Sequence, residues 1–187
     1  LCEISVTDLD KISSLSTPQD VIAQIKIPDW PLLSEKQFKG RFSLVLDGIQ
    51  DPGNMGTIIR IADWFGINDI ICAEDTVDVY NPKVVQASMG SLARVKVHYT
   101  DLTKFLSSAK LPVFGALLNG ANIYSTDFGK EGLLLMGNEG NGIRPEIQKL
   151  ITEAITIPRI GKAESLNVAI AAALFCSEVS RNTQHRV

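Results

Sequence analysis

From Phe42 onward, short apolar runs alternate with stretches in which apolar residues recur at helical spacing. FSLVLD, DIICA, RVKVHY, PVFGALL, GLLLMG and AITIP read as strands. GNMGTIIRIADWFG sets Met55, Ile58 or Ile59, Ala62 and Phe65 near helical spacing, with Gly66 as the stop. NPKVVQASMG opens on Asn-Pro, DLTKFLSSA on Asp101, and RPEIQKLI carries Pro145 in its first turn, all helix-start signals. SLNVAIAAALFCSEVSRN is the longest predicted helix; it is apolar nearly all round, which predicts burial, and Ser165 is its predicted N-cap. Strands alternating with helices predict an α/β domain, a parallel sheet with helices on both faces.

Residues 1–40 break the pattern. Their apolar pieces are interrupted by Ser, Thr, Asp and Pro, and Pro28 and Pro31 exclude a long helix there. DVIAQIKI is a candidate single strand. The predicted division is a segment over 1–40, the tail of an upstream domain plus a linker, and a main domain over 41–187. The chain starts at Leu1 and not Met, so it is expected to be a fragment or a processed product.

Composition narrows the function classes. Apolar residues make up 45% of the 187 and charged residues 21%, an ordinary globular balance. The net charge of −3 argues against a broad basic surface for nucleic acid, while leaving room for a local basic patch. No apolar run reaches the ~18 residues of a membrane helix, so no membrane role is expected. Cys2, Cys72 and Cys176 are far apart and form no CxxC pattern, which argues against a zinc site and fits a reducing cytoplasm. His98 and His185 are expected to be structural or solvated.

In a parallel sheet, ligands bind beyond the carboxyl ends of the strands. That rule selects three loops, 47–56, 137–144 and 158–166. In DGIQDPGNMGTIIR, Gly53 and Gly56 permit close backbone approach to a ligand, Asn54 sits where a side chain can cap a helix, and Arg60 follows. A plain helix cap with a surface arginine explains the same residues. In LMGNEGNGIRPE, glycines surround Glu139, and such a turn can aim its amides at a ligand; an ordinary glycine-rich turn is the alternative. In IPRIGKAESLNVAIAAA, the first amides of the long helix are free donors, for a cap or for a ligand.

Together the three segments resemble the signature motifs of the SpoU (TrmH) family of RNA ribose methyltransferases, of the SPOUT class. The likeness covers roughly residues 42–180. The first motif is Asp51-Pro52-Gly53-Asn54-Met55-Gly56 with Arg60, the second Gly137-Asn138-Glu139-Gly140-Asn141-Gly142, and the third Ile157-Pro158, Gly161 and Ser165-Leu166-Asn167-Val168. The resemblance implies a domain with a C-terminal deep trefoil knot that holds S-adenosylmethionine, its adenine gripped largely by backbone groups. Matching cofactor positions are Gly137, Asn138, Gly142, Ile157 and Leu166, with Leu117 or Leu118 nearby. The implied partners are RNA, ribosomal or transfer, and a second copy of the chain, with the active site near the subunit interface. Residues 1–40 resemble the end of the small RNA-binding domain that many members carry, with STPQDVIAQ as its last strand region.

Carried over residue by residue, the resemblance makes Arg60 the leading catalytic residue, as the base that accepts the 2′-hydroxyl proton; because a guanidinium stays protonated, the preferred reading is that Arg60 grips the target phosphate and stabilises the developing alkoxide. Asn54 would orient Arg60 or the ribose, Glu139 would order the second loop, and Ser165 and Asn167 would fix the third loop and the reacting ribose. Arg144, Arg159 and Lys162 are candidate phosphate contacts; members often carry Met where Arg159 stands. Two other readings stay open. DPGNMG followed by Glu74 or Asp75 mimics a Rossmann nucleotide site, but without GxGxxG. A non-catalytic RNA-binding module with the same fold is the other.

Overall fold

The structure, a computed structural model, describes residues 2–13, 17, 19–28, 30 and 37–184. The chain divides into two units, 1–31 and 32–187. The candidate histidine at position 185 lies outside the described residues.

In the first unit, helix α1 (Val6–Ile12) buries none of its residues. Local polar pairing holds it: the Ser5 hydroxyl caps the Asp8 amide at 3.2 Å and donates to Asp8 Oδ2 at 2.6 Å. Residues 20–27 form no strand, contrary to the apolar alternation of DVIAQIKI. Val21, Ile25 and Ile27 are exposed. The described part of STPQDVIAQ is likewise no strand.

The second unit follows the alternation from Phe42 onward. Strands β1 (Phe42–Asp47), β2 (Asp69–Ala73), β3 (Lys96–Thr100), β4 (Val113–Asn122), β5 (Gly132–Gly137) and β6 (Glu153–Thr156) make one sheet in the order β3-β2-β1-β5-β4-β6. Every pairing is parallel. Helices α2 (Pro52–Trp64), α3 (Pro82–Ser88), α4 (Leu102–Ser108), α5 (Pro145–Gln148) and α6 (Val168–Gln184) complete it.

Strand alternation assigns the faces. Leu44, Leu46, Ile70 and Met136 pack with Met55, Ile59 and Phe175 of α2 and α6. Val45, Ile71, Leu133 and Leu135 face the other way, against Leu102, Leu106 and Ile147 of α4 and α5. Both faces are covered, which is why the strands are near-continuous apolar runs. The buried Asp69–His98 pair, at 3.1 Å, lies toward the amino end of β2.

The helix expectations need three corrections. Helix α6 is buried on one face only, since Ile170 is 54% exposed while Ala172, Phe175 and Cys176 are buried. Its N-cap is Asn167 and not Ser165: Asn167 Oδ1 accepts from the Ala169 and Ile170 amides. Asp51, not Asn54, caps α2, accepting from the Asn54 amide at 2.7 Å. In both cases the cap stands nearer the first helical residue than its periodicity suggests.

The chain winds outward from β1 through β2 to β3, then returns to place β5 on the other side of β1. The order therefore reverses between β1 and β5, and the crevice at their carboxyl ends is where such a sheet binds ligands.

Candidate active site

Three loops leave the carboxyl ends of β1, β5 and β6 and meet. Asn167 Nδ2 donates to Asn54 Oδ1 at 2.9 Å, and Asn54 Nδ2 donates to Glu139 Oε1 at 3.1 Å. The relay joins the start of α6, the start of α2 and the glycine-rich turn after β5. Each amide is fixed in orientation, because Asn167 Oδ1 is committed to capping α6. Glu139 Oε2 accepts weakly from the Gln50 amide at 3.5 Å.

The glycine-rich turn is closed by its own backbone. Asn138 and Gly142 exchange N–H···O bonds of 2.9 Å in both directions. Asn138 Oδ1 accepts from the Gly140 and Asn141 amides, and its Nδ2 donates to the Gly48 carbonyl at 2.7 Å. Gly137 is required by packing: a Cβ there would stand 2.3 Å from Gly142 C and Ile143 N. Gly142 has φ +68°, a left-handed conformation that favours glycine.

Two cavities meet at the Glu139 end of the relay. One, of about 520 Å³, is polar; Asp51, Asn54, Glu139, Ser165 and Asn167 line it. The other, of about 630 Å³, has an apolar floor that includes Met136, Ile155 and Phe175. Leu117, Gly137, Asn138, Gly142, Ile157 and Leu166 all line this second cavity. Glu139, Ser165, Leu166 and Val168 border both. The arrangement suits a small molecule with an apolar body, lying beside a polar cleft.

The other expected residues are placed differently. Arg60 is exposed on α2, lines neither cavity, and has no hydrogen-bond or ion-pair partner among the described residues. Arg144 is an ion-pair partner of Asp47, with Nε 2.7 Å from Oδ1 and the backbone amide 2.8 Å from Oδ2. This pairing raises the Arg144 guanidinium above its ordinary pKa. Arg159 donates to the Ala163 carbonyl at 3.2 Å, and Lys162 is exposed. Gly56 is buried and lines neither cavity; a Cβ there would come within 2.5 Å of the Ala87 Cβ, so it permits contact between α2 and α3.

Sequence patterning missed Asp47, whose side chain is fully enclosed. Its one signal is a carboxylate ending an otherwise apolar strand. It also gave no role to Gln50, whose Nε2 ties the loop to the Asp75 carbonyl at 2.5 Å. Met136 and Phe175, which line the larger cavity, carry no site signal in the sequence. Among the described residues, no group of three His, Cys, Asp or Glu could hold a metal, and no helix is long and apolar enough to cross a membrane.

A family description, the SpoU rRNA Methylase family, matches residues 41–177. The 23S rRNA (guanosine(2553)-2'-O)-methyltransferase RlmP of Bacillus subtilis is 34% identical over 167 residues, covering 87% of this chain and 65% of that protein. The chain thus spans just under two thirds of that relative's length. A TrmH-family structure from Porphyromonas gingivalis superposes with a TM-score of 0.78 at 42% identity, covering 93% of this chain and 71% of the other. An S-adenosylmethionine-bound rRNA methyltransferase from Sinorhizobium meliloti gives 0.72 at 35% identity, covering 76% and 56%.

Proposed function

The chain belongs to the SpoU rRNA methylase family, and on that premise we propose that it transfers a methyl group from S-adenosylmethionine to a ribose 2′-hydroxyl of structured RNA, ribosomal RNA first. One observation carries the reading: the Asn167–Asn54–Glu139 relay lines a polar cleft that joins an apolar-floored cavity at Glu139.

The residues fit the cofactor. The larger cavity, about 630 Å³, is within the ~300–1,000 Å³ of small-molecule sites, and its floor suits an adenine ring. Leu117, Ile157 and Leu166 would enclose the base and the 137–142 turn would hold the polar portion. Glu139 at the shared rim sets a carboxylate near a cationic ligand. When bound, S-adenosylmethionine supplies a methyl group already activated on positively charged sulfur, so the protein's task is positioning.

The polar cleft would take the target ribose. Asn54 and Asn167 present fixed amides to its hydroxyls, and Ser165 lies where the two cavities join. Arg60 would grip the neighbouring phosphate and stabilise the developing alkoxide, because a guanidinium is a permanently charged donor with no acceptor site. Arg60 is supplied by a second copy of the chain. Supporting this, α2 exposes Thr57, Arg60 and Trp64 at helical spacing, and Trp64 is 84% exposed. The C-terminal trefoil knot implied by the family, and a cytoplasmic setting consistent with free thiols at Cys72 and Cys176, belong to the same proposal.

The test is methyl transfer from labelled S-adenosylmethionine to purified ribosomal and transfer RNA, with 2′-O-methyl sites then mapped in RNA from cells with and without the gene. The expected result is one ribosomal site lost without the gene. Loss of a transfer RNA site alone would reassign the substrate. Cofactor binding with no transfer to any RNA would favour a non-catalytic RNA-binding module, and binding of NAD instead would favour a nucleotide enzyme.

A further inference from the structure

Asp47 holds both ends of the glycine-rich turn. Its backbone is in register with Gly137, where β5 ends and the turn begins. Its side chain accepts from the Arg144 amide at 2.8 Å, where the turn ends and α5 starts, and from Arg144 Nε at 2.7 Å. Residues 138–143, including Glu139, are therefore clamped at entry and exit by one residue of β1. The neighbouring Gly48 carbonyl adds a third tie, accepting from Asn138 Nδ2. Arg144 also reaches Asp75, beyond β2, at 3.4 Å.

A fully enclosed carboxylate is costly, and its partner Arg144 is 41% exposed, so the attraction between them is partly screened by solvent. Fold stability alone therefore does not account for Asp47. Placement of the turn does. Gly137, Asn138 and Gly142 line the larger cavity, and Glu139 borders both. A change at either end of the turn moves all four together.

We infer that Asp47, through Arg144, is a positioning residue that sets the geometry of the 137–142 turn for the methyl donor. This rests on the methyltransferase reading for its ligand, though not for the loop itself.

Two measurements on the whole chain separate these levels. Hydrogen exchange in the ligand-free protein follows the Gly140, Asn141 and Gly142 amides, all bonded within the turn. Calorimetric titration with S-adenosylmethionine follows the site. Asp47→Asn is expected to speed exchange of those amides at least tenfold, leave the α2 amides unchanged, and weaken binding roughly tenfold, as a loosened support does. The double variant Asp47→Leu/Arg144→Met separates support from stability: it should regain the melting temperature while turn protection and affinity stay lost. Asp69→Asn, toward the opposite end of the sheet, should lower the melting temperature without altering either. Unchanged exchange in Asp47→Asn, or recovery of both readouts in the double variant, overturns the inference. A wild-type chain that binds no S-adenosylmethionine would instead refute the functional reading, with the exchange data still deciding the role of Asp47.

Discussion

Asn167 donates to Asn54 at 2.9 Å although the two are 113 positions apart. The contact fixes both amides, because Asn54 in turn donates to Glu139 and Asn167 accepts from the first amides of α6. Asn54→Ala should therefore disorder Asn167 and Glu139 together. The expected loss in turnover is about 100-fold, as for misplaced reacting groups, with stability changed by no more than about 1 kcal/mol at this partly exposed position. A double-mutant cycle with Asn167→Ala should give a coupling of about 0.5–3 kcal/mol in transition-state free energy. Additive losses would mean that the two amides act independently.

Two glycines with different duties should fail differently. Gly56→Ala forces a methyl against Ala87 and the Val84 carbonyl. It should cost about 1–3 kcal/mol of stability by overpacking and leave S-adenosylmethionine affinity intact under conditions where the chain is folded. Gly137→Ala drives a methyl into the Gly142–Ile143 backbone and should abolish binding. Thermal melts and titrations on both variants check this; equal loss of affinity in the two would remove the distinction.

Much of this was legible in the sequence, and the rest was not for physical reasons. The apolar runs gave all six strands, because a parallel sheet covered on both faces requires them. The motif resemblance gave the cavity-lining residues, since Leu117, Gly137, Asn138, Gly142, Ile157 and Leu166 border one space. The caps were misassigned because Asp51 and Asn54, or Ser165 and Asn167, are all polar residues within one turn of a helix start. The amide relay and the Asp47 clamp were invisible because they are long-range side-chain contacts. DVIAQIKI misled because a short apolar pattern does not itself supply the ladder hydrogen bonds that make a strand, and residues 20–27 make none.

Thiol chemistry offers an independent check on the core. Burial pushes the Cys176 thiol up to about 12 and Cys72 higher still. Because the thiolate is the nucleophile, both should stay unreactive in the native state at pH 8. Cys2 is exposed. A maleimide should label one site in native protein and three in denaturant, read by mass spectrometry. Native labelling of Cys72 at the rate of Cys2 would show that β2 is not buried as described.

The role of Arg60 can be separated from general-base chemistry by pH. If Arg60 acts as a permanent charge and not as a proton acceptor, Arg60→Lys should lower single-turnover rates without changing the shape of their pH profile. Arg60→Lys should then lose at least about tenfold, since ammonium lacks the planar fork. A lysine variant with near-normal rates would show that a point charge suffices.

Whether Arg60 serves its own cleft or that of a second copy is decided by mixing. Arg60→Ala and Asn54→Ala should each retain no more than about a hundredth of wild-type activity alone. If the arginine crosses an interface, a mixed dimer has one cleft with both defects and one with neither. Random exchange of subunits would then restore about a quarter of wild-type activity. If the arginine serves its own cleft, every cleft in the mixture keeps one defect and no activity returns. Trp64→Asp distinguishes a failed mixture from a failed interface. A charge on that exposed face should shift the protein toward monomer in sedimentation, and it should abolish transfer even though the relay within each chain is intact. A fully active monomeric variant would place the arginine in its own cleft and end the two-copy proposal.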